Sequence, residues 1–181
     1  LSLMKDDDAK KELEYDIKEM TAMLNSYVSF VRGETPETIE NIQLNNLIKN
    51  ICQNLDREKY EITETYSRKI DTSGRPLQIK RAIQNILDNA RRYASKIQID
   101  VSANNDECFI SISDNGPGIP EKNYEDVFKP FFTLDPSRNK MKGESGLGMT
   151  ISRDIIRSHG GDIKLSPSSI GGLKTVINLP I

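Results

Sequence analysis

Residues 5–32 contain neither Gly nor Pro, and their apolar positions recur at alternating spacings of four and three residues. These positions are Leu13, Ile17, Met20, Leu24, Tyr27 and Val31. Three further apolar residues widen the face beyond what a two-stranded coiled coil needs, namely Met23, Val28 and Phe30. The pattern predicts one long helix packed in a helical bundle; an amphipathic helix folded onto its own domain is the alternative. Gly33 and Pro36 end the helix, so we expect a bundle helix at residues 1–34 and a second domain at residues 35–181.

After residue 36 the apolar pattern alternates between helix and strand periods. Helical spacing predicts helices from Leu44 to Leu55, from Pro76 through Ala90, and from Gly146 to Ser158. Period-two alternation predicts strands at residues 60–66, 96–104, 107–113, 162–166 and 172–180. Strands and helices interleave, but adjacent hairpins argue against an all-parallel sheet. We therefore expect an α+β fold, with a mixed sheet that carries helices on one face.

The charge balance limits the classes of partner. Lys and Arg number 25 against 27 Asp and Glu, so the net charge is −2. A nucleic-acid-binding protein gathers its cations into a patch, so no nucleic-acid partner is expected. Cys52 and Cys108 show no CxxC spacing and are expected to be reduced thiols. No apolar run approaches the ~20 residues of a membrane span, and we expect a soluble chain.

Three motifs place polar or glycine residues where a ligand could bind. DNGPGIP (114–120) directly follows a strand and fits a binding loop or a plain turn. NILDNARRY (85–93) puts Asn85 and Asn89 on one helix face beside the apolar stripe, where they either serve a ligand or remain solvated. GESGLGM (143–149) opens the third predicted helix. Glycines and free N–H groups at a helix start favour phosphate binding, and a hinge or helix cap is the alternative.

The order of these motifs resembles the ATP-binding domain of sensor histidine kinases, which belong to the superfamily of gyrase B, MutL and heat-shock-chaperone ATPases. Helix asparagines come first, then a strand with DNGPGIP, then FKPFF (128–132), then GLGM at a helix start. Three longer stretches look most similar to osmosensor-type (EnvZ-like) kinases, namely RPLQIKRAIQNILDNARRY, FKPFFTLDPSR and GGLKTVINLP. The resemblance covers essentially the whole chain. It implies a two-layer α/β sandwich of the Bergerat type, with ATP and Mg²⁺ as cofactors.

The resemblance also implies roles for individual residues. Asp114 would accept a hydrogen bond from the adenine amino group. Asn89 would offer its side-chain oxygen to Mg²⁺, a cation that prefers oxygen ligands, and Asn85 would assist catalysis directly or through water. The remaining nucleotide contacts would come from Arg92, Tyr93, Gly116, Gly118, Ile119, Ser145, Gly146, Leu147 and Gly148.

Residues 133–145 resemble a mobile lid over the nucleotide and depart from the family pattern at two points. Thr133 stands where the family often has an arginine, so Arg138 would carry that phosphate contact instead. Glu144 stands where a glycine is common, which places a carboxylate near the phosphates. Thr133 and Arg138 therefore join the expected nucleotide contacts.

Asn85 distinguishes two branches of the superfamily. Its ATPases have a glutamate at this position, which activates water, whereas an amide cannot take a proton near neutral pH. The resemblance therefore implies a kinase that transfers the ATP γ-phosphoryl group to a bundle histidine, for relay to a response-regulator receiver domain. The alternative is a nucleotide-binding regulatory module without transfer activity.

The phosphoacceptor histidine of the family lies on the first bundle helix, and residues 1–34 contain no histidine. The resemblance implies that residue 1 starts just after that helix and that residues 1–34 mediate a homodimer. It also implies a cytoplasmic portion of a parent protein anchored in the bacterial inner membrane. His159 is the only histidine and precedes Gly160 at the end of a predicted helix. We expect it to finish that helix rather than to receive phosphate.

Overall fold

The computed structural model describes Ile17 and residues 37–55, 59–134 and 146–181. Apart from Ile17, which is helical, the predicted bundle helix lies outside the described residues. Arg138, Ser145 and most of the predicted lid lie outside them as well, so these predictions and the domain boundary stay predictions. Across the described ranges, no helix combines the length and apolar character needed to cross a bilayer.

Strands and helices alternate along the described domain. The strands are β1 (Glu40–Gln43), β2 (Glu61–Tyr66), β3 (Asp71–Gly74), β4 (Lys96–Ala103), β5 (Glu107–Asp114), β6 (Asp162–Pro167) and β7 (Leu173–Pro180). The α-helices are α1 (Leu44–Gln53), α2 (Pro76–Tyr93) and α3 (Gly148–Ser158). Five strands form a mixed sheet in the order β2-β4-β5-β7-β6, in which only β2 and β4 are parallel. β1 and β3 form a separate antiparallel pair.

The helices pack on the apolar face of this sheet. Period-two alternation buries the inward residues of the two central strands, with Ile97, Ile99, Ile110 and Ile112 at most 1% exposed. The apolar stripe predicted for α2 is buried throughout, at Ile79, Ile83, Ile86, Leu87 and Ala90. Burying one such large side chain stabilises the fold by about 1.5–3 kcal/mol. The expected α+β fold with a mixed sheet is confirmed.

The structure departs from the sequence-based elements at two strands and at helix ends, among which α1 ends at Gln53 rather than Leu55. β1 and β3 were not predicted, because ENIQ and DTSG are short and largely polar and show no apolar alternation. The third predicted helix begins at Gly148 rather than Gly146. Gly146 has a φ of 62°, a left-handed conformation that a right-handed helix cannot include. Gly146 and Leu147 therefore form a turn that precedes α3 and are not its first residues.

Candidate functional site

A cavity of about 400 Å³ lies between α2, the loop after β5 and the start of α3. Ten of the residues singled out in the sequence line this cavity. They are Asn85, Asn89, Arg92, Tyr93, Asp114, Gly118, Ile119, Thr133, Gly146 and Gly148. The fold thus brings three motifs that are far apart in the sequence to one place.

Asp114 ends β5 and presents a buried carboxylate to this cavity. Its side chain is 8% exposed. Oδ1 accepts hydrogen bonds from the N–H groups of Gly116 at 2.8 Å and Leu173 at 3.2 Å. Among the described residues nothing donates to Oδ2. The carboxylate is therefore held in one orientation, with one oxygen left to accept a hydrogen bond from a ligand.

Gly172 allows this arrangement and was not among the predicted site residues. Its N–H donates to the Asp114 carbonyl oxygen at 3.0 Å. A Cβ at position 172 would overlap the Asp114 carboxylate and the Gly116 nitrogen. Gly118, with a φ of 69°, packs against the Gly172 backbone. The two glycine-containing turns are therefore in contact around the carboxylate.

Gly116 and Leu147, both expected to contact nucleotide, do not line the cavity. Gly116 supports Asp114 instead, and a Cβ there would lie 2.9 Å from Asp114 Oδ1 and 3.1 Å from the Tyr93 carbonyl oxygen. Leu147 is 5% exposed, and its carbonyl accepts the N–H of Ile151. Gly116 therefore supports the cavity from behind its surface, and Leu147 lies between Gly146 and Gly148, which both line it.

The two asparagines of α2 line the cavity one helical turn apart. Asn85 Nδ2 donates to the carbonyl oxygen of Gly148 at 3.3 Å, which ties α2 to the start of α3. The side chain of Asn89 is partly exposed and has no hydrogen-bond partner among the described residues. Its carbonyl oxygen is therefore available to a hard cation.

The start of α3 is open to an anion. The N-cap residue Leu147 makes no side-chain capping hydrogen bond, and the first turn of the helix contains no acidic residue. The preceding turn is fixed because Phe131 N–H donates to the Gly146 carbonyl oxygen at 3.1 Å, and a Cβ at position 146 would lie 2.9 Å from Phe131 Cα. Unpaired N–H groups and the helix dipole favour a phosphate at such a terminus.

Several residues that line the cavity were not predicted from the sequence. Thr175 is 3% exposed and lines the cavity from β7, where its inward neighbours are apolar. A polar residue at an inward position of an otherwise apolar strand is a signal that could have identified it. The apolar walls include Ile86, Ile112, Val127, Phe132, Met149 and Leu173. Apolar walls around a few fixed polar groups suit a planar base.

A mixed sheet covered by helices, with such a cavity at their junction, defines a class of nucleotide-binding domain. The chain belongs to the histidine kinase-, DNA gyrase B- and HSP90-like ATPase family, whose model matches residues 74–181. Within that family the described domain is a histidine kinase-type ATP-binding catalytic domain. The expected class is confirmed, and the alternative of a regulatory module is not favoured.

The relatives agree on this class, and a solved structure shares the fold. Sensor histidine kinase GtrS of Pseudomonas aeruginosa is 29% identical over 183 residues, which cover 99% of this chain and 37% of GtrS. Sensor histidine kinase CpxA of Escherichia coli is 28% identical over 179 residues, which cover 94% of this chain and 39% of CpxA. The chain thus spans less than half of either relative. The structure of the mycobacterial sensor histidine kinase MprB has the same fold, with a TM-score of 0.69 and 24% identity over 79% of this chain and 97% of that chain.

Proposed function

We propose that this chain is the catalytic part of a sensor histidine kinase, which transfers the γ-phosphoryl group of ATP to a histidine on a bundle helix. An imidazole nitrogen of that histidine attacks the γ-phosphorus, the bond from the γ-phosphorus to the bridging oxygen breaks, and ADP leaves. The phosphoryl group then passes to an aspartate of a response-regulator receiver domain. One observation carries this proposal: a single cavity holds the fixed Asp114 carboxylate, the unpartnered Asn89 amide and the uncapped start of α3.

Asp114 would select adenine. Because Oδ1 is occupied by the N–H groups of Gly116 and Leu173, Oδ2 is the oxygen left to accept the adenine amino group. The apolar walls around it would cover the faces of the base. Thr175, buried on the neighbouring strand, would add a second polar contact.

The phosphates would lie at the start of α3, where N–H groups before and within the first turn meet them. Arg92, Tyr93 and Thr133 line the same cavity and would contribute further phosphate contacts. Arg138 and Ser145 are proposed for the same role from the sequence resemblance.

Asn89 would hold Mg²⁺ through its carbonyl oxygen. Clusters of three His, Cys, Asp or Glu side chains able to hold a metal are absent from the described part of the chain. The phosphate oxygens would therefore complete the coordination, as is usual for Mg²⁺. When bound, the cation neutralises charge on the phosphates during transfer.

Asn85 favours transfer over hydrolysis. Its amide cannot remove a proton from water, and its Nδ2 already donates to the Gly148 carbonyl oxygen. We assign it the role of holding α2 against the phosphate end of the cavity, beside Asn89.

The larger assembly is proposed from the sequence resemblance and from the names of the relatives as sensor kinases. Residues 1–34 would form a homodimeric bundle, and residues 35–181 the catalytic domain. A receiver domain would be the downstream partner. The chain would be the cytoplasmic portion of an inner-membrane protein of the osmosensor (EnvZ-like) type.

Transfer can be tested directly with a supplied bundle segment. The chain is mixed with ATP, Mg²⁺ and a separately made helical segment that carries a histidine followed by an acidic residue, and the products are analysed by mass spectrometry. We expect acid-labile phosphate on the added histidine and none when that histidine is replaced by glutamine. ATP binding without transfer to any supplied histidine would support the regulatory-module alternative and refute kinase activity.

A further inference from the structure

The guanidinium group of Arg153, on α3, contacts three residues, of which Glu125 and Phe128 lie in the stretch 124–134 and Asp162 begins β6. The Arg153 side chain is only 12% exposed. Nη1 and Nη2 donate to the two carboxylate oxygens of Glu125 at 2.6 and 3.3 Å, and Nε donates to Asp162 Oδ1 at 3.0 Å. Cζ lies 4.2 Å from the ring centre of Phe128. The planar guanidinium group makes these contacts through several N–H donors in fixed directions, an arrangement that the single ammonium group of lysine cannot reproduce.

Residues 124–134, here called the wall segment, are attached to α3 through these contacts. Val127 and Phe132 of this segment line the nucleotide cavity. Near its other end, Phe131 N–H donates to the carbonyl oxygen of Gly146, just before α3. The wall segment is therefore attached to α3 through Glu125 and Phe128, and to the turn that precedes α3 through Phe131. Its cavity-lining side chains lie between and beside these attachments.

Arg157 provides a contrast on the same helix. It bonds to Asp162 at 3.1 and 3.3 Å, is 53% exposed, and makes no described hydrogen bond to the wall segment. Burial by itself raises the pKa of Asp162, but hydrogen bonds from Arg157 and Arg153 outweigh it and hold the pKa well below its usual range. Asp162 is therefore ionised at neutral pH and accepts from Nε of Arg153, while Glu125 accepts from Nη1 and Nη2.

We propose that Arg153 is a positioning residue for the nucleotide. Arg153 does not line the cavity, so it acts through Glu125 and Phe128. Its contacts with these two residues hold the wall segment at a fixed distance from α3, and this distance suits the nucleotide. Without this attachment the wall segment would sample several separations, and the nucleotide would have to order it on binding. The inference rests on the proposed function, because the ligand is taken to be ATP.

The test compares three variants of the full chain. Arg153→Met keeps an apolar stem over Phe128 but removes every donor. We expect it to bind ATP with Mg²⁺ about tenfold more weakly, in line with the coupling energies of contacting residues. Glu125→Gln, a change at an exposed side chain, should weaken binding in the same direction by about threefold. Arg157→Met removes hydrogen bonds to Asp162 and none to the wall segment, and it should leave affinity unchanged.

Affinity is measured by calorimetry, and hydrogen exchange of residues 124–134 is measured without nucleotide. We expect faster exchange in Arg153→Met and Glu125→Gln but not in Arg157→Met. Wild-type affinity and exchange in both of the first two variants would overturn the inference while leaving the proposed function intact.

If Arg153→Met does not fold, the affinity and exchange of Glu125→Gln decide whether the inference holds. If the wild-type chain does not bind ATP, the proposed function fails, and the exchange measurement still decides whether Arg153 holds the wall segment.

Discussion

At the scale of single residues, the site depends on orientation more than on residue type. A carboxylate after a strand is common, but Asp114 has one oxygen held by two N–H groups, one from the loop after β5 and one from the first residue of β7. The motif DNGPGIP contains the nearer donor, Gly116, two residues away, but the sequence predicted Gly116 as a nucleotide contact and not as a donor to Asp114. The farther donor, Leu173, lies 59 positions along the chain and reaches Asp114 only through the register of β5 against β7.

Replacing Asp114 with asparagine tests its proposed role. An amide can keep Oδ1 in its present hydrogen bonds, but it then presents an NH₂ donor to the adenine amino group, which is also a donor. A hydrogen bond to a charged group is worth about 1.5–3 kcal/mol, so Asp114→Asn should weaken ATP binding by roughly 10–100-fold. Calorimetry measures the affinity. The same substitution at Asp100, exposed on β4 and away from the cavity, is the matched control; equal affinities for both variants would remove Asp114 from the site.

Asn89 should matter mainly when metal is present. If its carbonyl oxygen binds Mg²⁺, Asn89→Ala should lower ATP affinity by about tenfold with Mg²⁺ and have little effect in EDTA. Gln84→Ala, an exposed change on α2, should have no effect in either condition. Titrations of the three chains with and without metal give the comparison. A loss of the same size in both conditions would mean that Asn89 contacts the nucleotide rather than the cation.

At the scale of elements, the two ends of α3 have different roles: one contributes to the cavity and the other joins the helix to α2. Its start lines the cavity, and its last turn is joined to α2 through His159. The N–H of Arg75, at the start of α2, donates to His159 Nε2 at 3.0 Å. Nε2 must therefore accept, so Nδ1 carries the proton and donates to the Ile155 carbonyl oxygen at 2.7 Å. Gly160 follows with a φ of 80°, the left-handed conformation predicted for the end of this helix.

His159→Ala should therefore lower stability and leave nucleotide binding nearly unchanged. The variant leaves a backbone N–H of Arg75 and a carbonyl of Ile155 without this partner, which costs about 1–3 kcal/mol. The start and end of α3 are about 16 Å apart at ~1.5 Å per residue, so the cavity should not be disturbed. Urea unfolding measures the stability, and calorimetry measures the nucleotide affinity.

Ser158→Ala, an adjacent and exposed change, should lower the free energy of unfolding by less than about 0.5 kcal/mol. Acid-labile phosphate on this chain alone, abolished by His159→Ala, would contradict the structural role.

Element types followed from the sequence where the apolar pattern was long. α2 and the central strands were predicted because their periodicity persists over many residues. The β1–β3 pair was not, since its pairing depends on residues about thirty positions away and its polar sequence has no period. The exact start of α3 was also missed, because both Gly146 and Gly148 are compatible with a helix start and only the contact with Phe131 fixes the turn.

At the scale of the whole molecule, the class of domain could be predicted, whereas the contacts that support the site could not. The order of the motifs can be seen directly in the sequence, and it was enough to identify the class of domain. The bond between Arg153 and Glu125 spans 28 residues, and that between Arg75 and His159 spans 84. Each joins elements that pack together only in the finished fold, and neither residue pair has a local sequence signal. Supporting contacts of this kind therefore require the structure.

The last prediction concerns the assembly and rests on the sequence of residues 5–32. Ile17, the one described residue of that stretch, is helical, belongs to the predicted apolar face and is 54% exposed in the single chain. An apolar face with exposed members at heptad spacing is expected to be covered by a second copy. We therefore expect a homodimer whose fraction increases with protein concentration.

Leu24→Asp would place an unpaired charge on that face, which costs about 3–5 kcal/mol where it is buried, and should shift the chain to monomer. Ala22→Asp introduces the same charge on the opposite side of the predicted helix and should leave the dimer intact. Sedimentation equilibrium over a range of concentrations distinguishes the variants. A wild-type chain that is monomeric at every concentration, or an equal loss of dimer in both variants, would exclude this face as the interface.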